Sequence, residues 1–286
     1  MSYYKILGFE KEPFSTSPDP AFFYESREHE VALTNLMIEL RLKRGLSVIL
    51  GDVGTGKTTL SRKLYQLLGG QEGFITHMVL DPVYREEEVF LTDLVRNFEV
   101  QPSASGPAIL NMKEALERFL FQKGVEEQKT IVLIIDEAQK LNEMTMECLR
   151  VLLNYETNEY KLLQLVLLGQ MELHAKVMNI PNFVDRISFK YALNPLDEEE
   201  MRQMIEFRIR HAGYTANMRL FLDPAIRLIY RHTRGYPRRV NMLCHKALKS
   251  LVMHNKFVVD EALIKEIIQE DIRQGLHWVQ QPTVVN

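Results

Sequence analysis

From residue 46 to residue 193, short continuous apolar runs alternate with longer stretches of helical periodicity. The continuous runs predict buried strands at 46–50, 75–80, 130–135, 162–168 and 187–193. Apolar residues spaced three and four apart predict helices at 60–68, 86–98, 108–122 and 143–155. Strands that are apolar on both faces and alternate with helices form parallel sheets covered by helices on both sides. The pattern therefore predicts an α/β fold.

Beyond Asp197 the pattern changes to helices alone. Helices are predicted at 198–212, 224–233, 240–253 and 260–272, separated by turns that contain Gly, Pro and Asn. Asp197 and Asp260 each stand where a helix begins, and a carboxylate suits the N-cap position. Four successive short helices predict a small helical bundle as a second domain.

The turn after the first predicted strand carries a phosphate-binding motif. It reads Gly51-Asp52-Val53-Gly54-Thr55-Gly56-Lys57-Thr58, with Thr59 next. This run fits the pattern G-x-x-x-x-G-K-[ST] and lies between a strand and a helix, as the motif requires. In such a loop, backbone N–H groups and the helix N-terminus face phosphate oxygens. We therefore expect ATP to bind at 51–59, with Lys57 at the β and γ phosphates and Thr58 on Mg²⁺.

The strand predicted at 130–135 ends in two carboxylates, Asp136 and Glu137. The carboxyl ends of parallel strands meet in the crevice where such sheets bind ligands. Asp136 is expected to reach the Mg²⁺ shell, and Glu137 to orient and polarise the attacking water. A buried strand that ends in acidic residues is common by itself. Its pairing with Lys57 predicts Mg²⁺-dependent ATP hydrolysis.

The composition is that of an ordinary globular enzyme. With 286 residues, 46% of them hydrophobic, the chain can bury a full core. A net charge of −3 gives no overall sign of nucleic-acid binding, although a local basic patch stays open. The longest aliphatic run, 131–135, is far shorter than the ~18–20 residues of a membrane span. Cys148 and Cys244 lack metal or redox spacing, so we expect buried thiols and a cytoplasmic location.

Four blocks of sequence, in this order, resemble the AAA+ ATPases of the general secretion pathway protein A (ExeA) and MshM group. They are 51–58, Asp136-Glu137-Ala138-Gln139, 165–173 and 234–241. The opening is similar too, through Pro13-Phe14, Pro18-Asp19-Pro20 and Phe23-Tyr24, so that the resemblance extends over about residues 3–270. It implies a P-loop NTPase fold of the AAA+ type, a three-layer sandwich with a parallel sheet, followed by a helical lid.

The resemblance and the hydrophobic pattern together divide the chain into three parts. The AAA+ nucleotide-binding domain is expected at 1–195, the helical lid at 196–273 and a tail at 274–286. An aromatic and proline-rich segment at 1–30 opens the first domain. Its prolines argue against a regular helix, so we expect it to lie over the sheet edge near the adenine, or simply to pack into a core.

The resemblance also implies three further site residues. Gln170 follows the fourth strand, where this fold places sensor 1 near the γ-phosphate; many AAA+ proteins have Asn or Thr there. Arg186 lies in the arginine-finger region, which implies a guanidinium that reaches the γ-phosphate of a neighbouring subunit; a surface arginine is the alternative. Arg238, in the Gly-x-Pro-Arg turn, matches the sensor 2 arginine that reaches from the lid to the phosphates of its own subunit.

Two classes of function stay open. The resemblance implies an assembly or motor ATPase of a secretion or type IV pilus system, which forms an ATP-dependent ring or filament of its own copies. Envelope components would be its partners, at the inner face of the inner membrane. The alternative is an ATP-switched DNA-binding regulator like the transposition ATPases of the TniB and TnsC types, with basic clusters at 41–44 and 231–239 as its DNA contacts.

Secretion-type relatives continue through a membrane helix into a peptidoglycan-binding region. The present sequence ends at Asn286. It is therefore expected to be either the shorter MshM-like form or a cytoplasmic portion of a longer protein.

Overall fold

A computed structural model describes residues 2–15, 20–103, 106–216 and 218–275. The chain forms two compact units, which we call the sheet unit (Glu25–Asn194) and the helical unit (Met1–Tyr24 with Pro195–Asn286). Pro18 and Asp19 of the opening motif, and residues 276–286 of the predicted tail, lie outside the described residues.

The sheet unit alternates strands and helices. Its strands are β1 (Leu46–Gly51), β2 (Phe74–Val79), β3 (Thr130–Ile135), β4 (Leu163–Gly169) and β5 (Ile187–Leu193). Helices are numbered along the whole chain, so α1 (Tyr3–Ile6) belongs to the helical unit. Those of the sheet unit are α2 (Arg27–Arg41), α3 (Lys57–Gly69), α4 (Glu87–Asn97), α5 (Ala108–Phe121), α6 (Glu143–Leu152), α7 (Met171–Met178) and α8 (Pro181–Val184). Short turns of other helix types follow α5 at Gln122–Glu126 and β3 at Ala138–Lys140.

The five strands form one parallel sheet in the order β2-β3-β4-β1-β5. Because all strands run in the same direction, the loops that follow β1, β3 and β4 lie side by side at the carboxyl edge of the sheet. The order reverses beside β1, which makes this edge the switch point where open α/β sheets bind ligands. The predicted α/β fold with a parallel sheet is confirmed.

The sheet is buried on both faces. Residues 131, 133 and 135 of β3 belong to one apolar cluster with side chains of α4, α5 and α6. The alternate residues of the strand, Val132 and Ile134, are also fully buried. Side chains of a strand point to opposite faces in turn, so burial of both sets requires helices on each side. This is the three-layer arrangement that the sequence predicts.

Three of the described helices of the sheet unit, α2, α7 and the one-turn α8, are additional to the predicted ones. The first, α2, begins after Ser26, whose side chain accepts a hydrogen bond from the His29 N–H. The second, α7, follows β4 directly. The predicted helix at 143–155 ends earlier, at Leu152, because the chain then turns and pairs Glu156 with Lys161 in an isolated antiparallel bridge.

The helical unit contains α1 together with four longer helices. These are α9 (Glu198–His211), α10 (Asp223–Thr233), α11 (Pro237–Met253) and α12 (Glu261–Arg273). Asp197 and Glu200 form a capping box at the start of α9, which satisfies N–H groups that lack an intrahelical partner. The predicted helix at 240–253 begins earlier, at Pro237, because proline fits the first turn of a helix, where no N–H donor is needed.

The N-terminal segment differs from the expectation in two ways. It contains a short helix, α1, and a 3₁₀ turn at Pro20–Phe22. Its residues up to Tyr24 belong to the helical unit and not to the α/β domain with which they were grouped. The physical cause is apolar burial: Phe9, Phe14 and Phe22 are members of the core of the helical unit.

A buried arginine fixes the same segment to α9. The Arg208 guanidinium donates hydrogen bonds to the backbone oxygens of Pro13 (2.8 Å), Ser15 (3.1 Å) and Phe22 (3.1 Å). It thereby satisfies carbonyl groups in a stretch without regular secondary structure, where buried backbone needs side-chain partners.

Among the helices of the described ranges, none combines the length and apolarity that a membrane crossing requires.

Candidate nucleotide-binding site

The loop between β1 and α3 has the backbone that the phosphate-binding motif requires. Gly54 (φ 88°) and Gly56 (φ 100°) lie in the left-handed region, which glycine adopts without steric cost. At Gly51, a Cβ atom would lie 2.7 Å from Thr55 Oγ1, and that hydroxyl donates to the Asp52 oxygen (3.0 Å). A side chain at Gly51 would also collide with the Leu193 backbone oxygen, which would lie 3.1 Å from its Cβ. The loop is therefore a cradle built of backbone atoms, as phosphate binding needs.

Lys57 is the first residue of α3 and lies under this loop. Its side chain is only 6% exposed, and Nζ donates to the backbone oxygens of Gly51 (2.8 Å) and Asp52 (2.9 Å). Burial lowers the pKa of the Lys57 ammonium, while the nearby carboxylates of Glu137 and Asp136 act to raise it. An ammonium has three donors on a flexible stem, so it can turn from these carbonyls to phosphate oxygens.

Asp136 lies directly after β3 and is 1% exposed. Burial raises the pKa of its carboxyl, and hydrogen bonds from the Thr58 side chain and from the Glu137 N–H (2.9 Å) oppose that rise. Ser61 Oγ donates to Oδ2 at 3.3 Å. The fold thus joins Asp136 to Thr58, two residues far apart in sequence. A buried carboxylate beside a hydroxyl offers hard oxygen ligands, which fits a Mg²⁺ ion.

Glu137 has an unusual backbone conformation, φ 52° and ψ 34°, in the left-handed region. For a residue other than glycine this costs of order 1–3 kcal/mol and is typical of functional sites. Its carboxylate accepts a hydrogen bond from Gln139 Nε2 (2.7 Å) and is the first of the charges that act on Lys57. The two carboxylates predicted to act in hydrolysis therefore lie together beside the loop, as the sequence predicts.

Gln170 follows β4, between the loop after β1 and the carboxylates after β3. It is half-buried and occupies the N-cap position of α7. Its backbone N–H donates to Gln139 Oε1 (3.1 Å). The position suits a polar residue near the γ-phosphate, and its role as sensor 1 stays a prediction.

His29, to which the sequence analysis gives no role, supports the loop from below. The ring is 3% exposed, with Nε2 at 3.1 Å from the Thr55 oxygen and Nδ1 at 2.7 Å from Ser26 Oγ. Burial lowers its pKa to about 4, so the ring is neutral at physiological pH. A Cβ at Gly56 would lie 2.7 Å from Nε2, so this glycine is needed for close contact as well as for its positive φ. The one signal in the sequence is the N-cap serine three residues before a histidine.

Residues 40–177 match the family model of the AAA domain. Over 248 residues the chain is 33% identical to general secretion pathway protein A of Aeromonas hydrophila, a match that covers 86% of this chain and 44% of that protein. Residues 40–177 of this chain form an AAA domain. It resembles general secretion pathway protein A over nearly its whole length, yet spans less than half the length of that relative.

Solved structures show the same AAA+ fold. Cdc6p of Pyrobaculum aerophilum is 16% identical with a TM-score of 0.66, over 90% of this chain and 70% of that one. The ORC2 protein of Aeropyrum pernix, solved as ADPNP and ADP complexes, is 18% identical with a TM-score of 0.62, over 86% of this chain and 67% of that one. The RuvB branch migration motor of Thermotoga maritima is 16% identical with a TM-score of 0.54, over 84% of this chain and 68% of that one. At these identities the likeness is one of fold.

Within the sheet unit, Arg186 is separated from the nucleotide site of its own chain. It precedes β5, whose first residue, Ile187, pairs with Leu46 at the start of β1. The phosphate-binding loop begins at the other end of β1, five residues along, which at the rise of a strand is about 17 Å away. Arg186 donates instead to the Asn182 oxygen (2.6 Å) and to Asn154 Oδ1.

Two predicted site residues lie outside the cluster described so far. Arg238 is the second residue of α11, in the first turn of that helix and in the helical unit. Its role as the sensor 2 arginine stays a prediction. Thr59 lies in the first turn of α3, where its N–H donates to the Gly56 oxygen (3.0 Å).

Proposed function

We propose that this chain binds MgATP at 51–59, hydrolyses it in an assembly of its own copies, and serves a secretion or type IV pilus-like system as its assembly or motor ATPase. The observation that carries the catalytic part is the convergence of Lys57, Asp136 and Glu137 at the carboxyl edge of the sheet. The 33% identity to general secretion pathway protein A supports the biological setting.

The residues divide the work of hydrolysis. The loop N–H groups and the Lys57 ammonium hold the phosphates in place. Thr58 and Asp136 would hold Mg²⁺, which when bound neutralises charge on the β and γ phosphates. Glu137 holds the attacking water and accepts its proton as the bond from water oxygen to the γ-phosphorus forms and the bond to the ADP oxygen breaks. Gln170 lies beside this reaction as a polar contact for water and γ-phosphate.

Two arginines complete the proposal. Arg238 would contact the phosphates of its own chain from the lid. Arg186 is too far from its own loop, so it would act at the site of a neighbouring copy, where its guanidinium stabilises charge that develops on the transferred phosphoryl group. This requires an assembly in which one sheet edge of each copy faces the nucleotide of the next, as in a ring or filament.

A DNA-binding role is the second candidate, and the basic clusters at 41–44 and 231–239 are its basis. One residue of each cluster makes a recorded cation–π contact: Lys43 Nζ lies 4.4 Å from the centre of the Tyr160 ring, and the Arg239 guanidinium lies 4.4 Å from that of Tyr236. The 33% identity to general secretion pathway protein A favours the first candidate.

The experiment that tests the proposal uses Glu137→Gln, because an amide keeps the shape of the side chain but cannot take the proton. We expect this variant to bind MgATP with normal affinity in calorimetry and to release phosphate far more slowly than the wild type. Held in its ATP-bound state, it then serves as bait in a pull-down from cells. Copurified envelope components support the secretion role. Retention of DNA that falls steeply with salt contradicts it and supports the second candidate.

A further inference from the structure

The side chain of Gln139 joins two parts of the site that the mechanism uses separately. Gln139 lies in the 3₁₀ turn Ala138–Lys140 that follows the two carboxylates. Its Nε2 donates to Glu137 Oε2 at 2.7 Å, and its Oε1 accepts the backbone N–H of Gln170 at 3.1 Å. One amide thus connects the carboxylate at the end of β3 to the residue at the end of β4.

The amide at this position satisfies both partners. The Glu137 carboxylate needs a donor and the Gln170 N–H needs an acceptor, and a carboxamide supplies them from two separate atoms of one planar group. A glutamate at 139 would keep the acceptor but place a second negative charge against Glu137. A methionine would keep the approximate length and lose both hydrogen bonds.

The turn that carries Gln139 is itself held in place. Lys176, on α7, donates from Nζ to the backbone oxygens of Gln139 and of Leu141 (3.0 Å). Gly169 leaves the space that the amide occupies, since a Cβ there would lie 3.1 Å from Gln139 Oε1. These contacts join the turn to β4 and α7, so the Gln139 side chain is preorganised.

We propose that Gln139 is a positioning residue for hydrolysis, which holds the Glu137 carboxylate in one orientation and couples it to the end of β4. This proposal rests on the role of Glu137 given above. With Oε2 bound by the amide, Oε1 is the oxygen left to face water. If Gln170 moves towards a bound γ-phosphate, the Gln139 amide moves with it and so shifts the Glu137 carboxylate.

The test is a double-mutant cycle on Gln139→Met and Glu137→Gln, followed by single-turnover hydrolysis and by ATP affinity. In the wild-type background we expect Gln139→Met to lower the rate constant about 10- to 100-fold, because misplacement of a reacting group by about 1 Å costs this much. ATP affinity should change less than about twofold, since the recorded hydrogen bonds of the amide in the described residues join it to Glu137 and Gln170. Gln139→Glu should lose at least as much rate as Gln139→Met.

The cycle separates positioning from general damage. If Gln139 acts through Glu137, Gln139→Met should cost nothing further in the Glu137→Gln background. Additive losses, or a matching loss of ATP affinity, would overturn the proposal. Gln71→Met is the matched control, because Gln71 Nε2 donates to a backbone oxygen, that of Leu67, at the end of α3 (3.1 Å). Full activity of Glu137→Gln would instead contradict the proposed function.

Discussion

Two edges of the sheet differ. At the carboxyl edge, where the strands end, a buried lysine, two carboxylates and a glycine cradle converge within one chain. At the amino edge, where the strands begin, the recorded hydrogen bonds of Arg186 in the described residues go to Asn154 and Asn182. The first edge has what is needed to bind and orient ATP. The second edge carries Arg186, the predicted finger, about 17 Å away from its own loop. Under the proposed function, this difference predicts that binding is a property of one copy, whereas fast hydrolysis needs two.

The largest expected effect comes from removal of the arginine at the amino edge. Arg186→Ala should bind MgATP almost normally and lose about 10³- to 10⁵-fold in hydrolysis, since a finger supplied in trans stabilises charge only in the transition state. Phosphate release and calorimetry on the same preparation measure both quantities. Arg96→Ala, at an exposed ion pair with Asp93, is the control and should keep full activity. Normal turnover of Arg186→Ala would contradict a role for this arginine in hydrolysis.

Removal of Lys57 instead disables phosphate binding at the carboxyl edge. Lys57→Ala should weaken ATP binding by at least about 100-fold, because two or more charge-assisted hydrogen bonds to phosphate oxygens, each about 1.5–3 kcal/mol, are lost. Calorimetry measures the affinity directly. Lys63→Ala, a lysine in the same helix, serves as control. Unchanged affinity in Lys57→Ala would contradict the assignment of the loop.

His29 gives a smaller effect that sharpens the account of the same edge. Burial holds the pKa of His29 at about 4 against the usual 6.5, so between these values the unfolded chain binds a proton that the folded chain excludes. Above pH 6.5 His29 therefore costs the folded protein nothing by titration, and the free energy of unfolding falls as the pH drops below that value. For such a shift, the free energy of unfolding decreases by about 2 kcal/mol from pH 7.5 to pH 5.

Urea unfolding at the two pH values measures this loss. His29→Asn should lack that part of the pH dependence and should bind ATP more weakly, because the contact with the Thr55 oxygen supports the loop. His254→Asn, at the exposed end of α11, should retain the pH dependence of the wild type. An identical pH dependence in wild type and His29→Asn would show that the buried ring does not titrate as proposed.

The sheet and the residues at its carboxyl edge were predictable because their signals are local. A continuous apolar run such as 131–135 defines a strand, and parallel strands all end at one edge of the sheet, so it was predictable that Asp136 and Thr58 lie at the same edge. The phosphate-binding loop is defined by glycines whose backbone no other residue adopts at low cost.

The remaining features depend on contacts between distant segments. Phe9 and Phe14 show no periodicity that tells which core will bury them, so the sequence did not reveal that the N-terminal segment belongs to the helical unit. The supporting contacts of His29 and Gln139 exist only once β1, α2 and β4 are in place. Helix α2 had a usable signal, the Ser26 cap followed by apolar residues at 33, 36 and 40.

A mixture of two inactive variants tests most directly the claim that hydrolysis needs two copies. The Arg186→Ala subunit keeps an intact nucleotide site, and the Glu137→Gln subunit keeps Arg186. An interface in which the first subunit binds ATP and the second supplies the arginine therefore has every residue that hydrolysis needs. With random mixing at equal amounts, about a quarter of head-to-tail interfaces have this composition. Phosphate release by the mixture should recover to a corresponding part of the wild-type rate. A mixture that stays inactive, although affinity-tagged subunits show that the two variants co-assemble, would contradict the account.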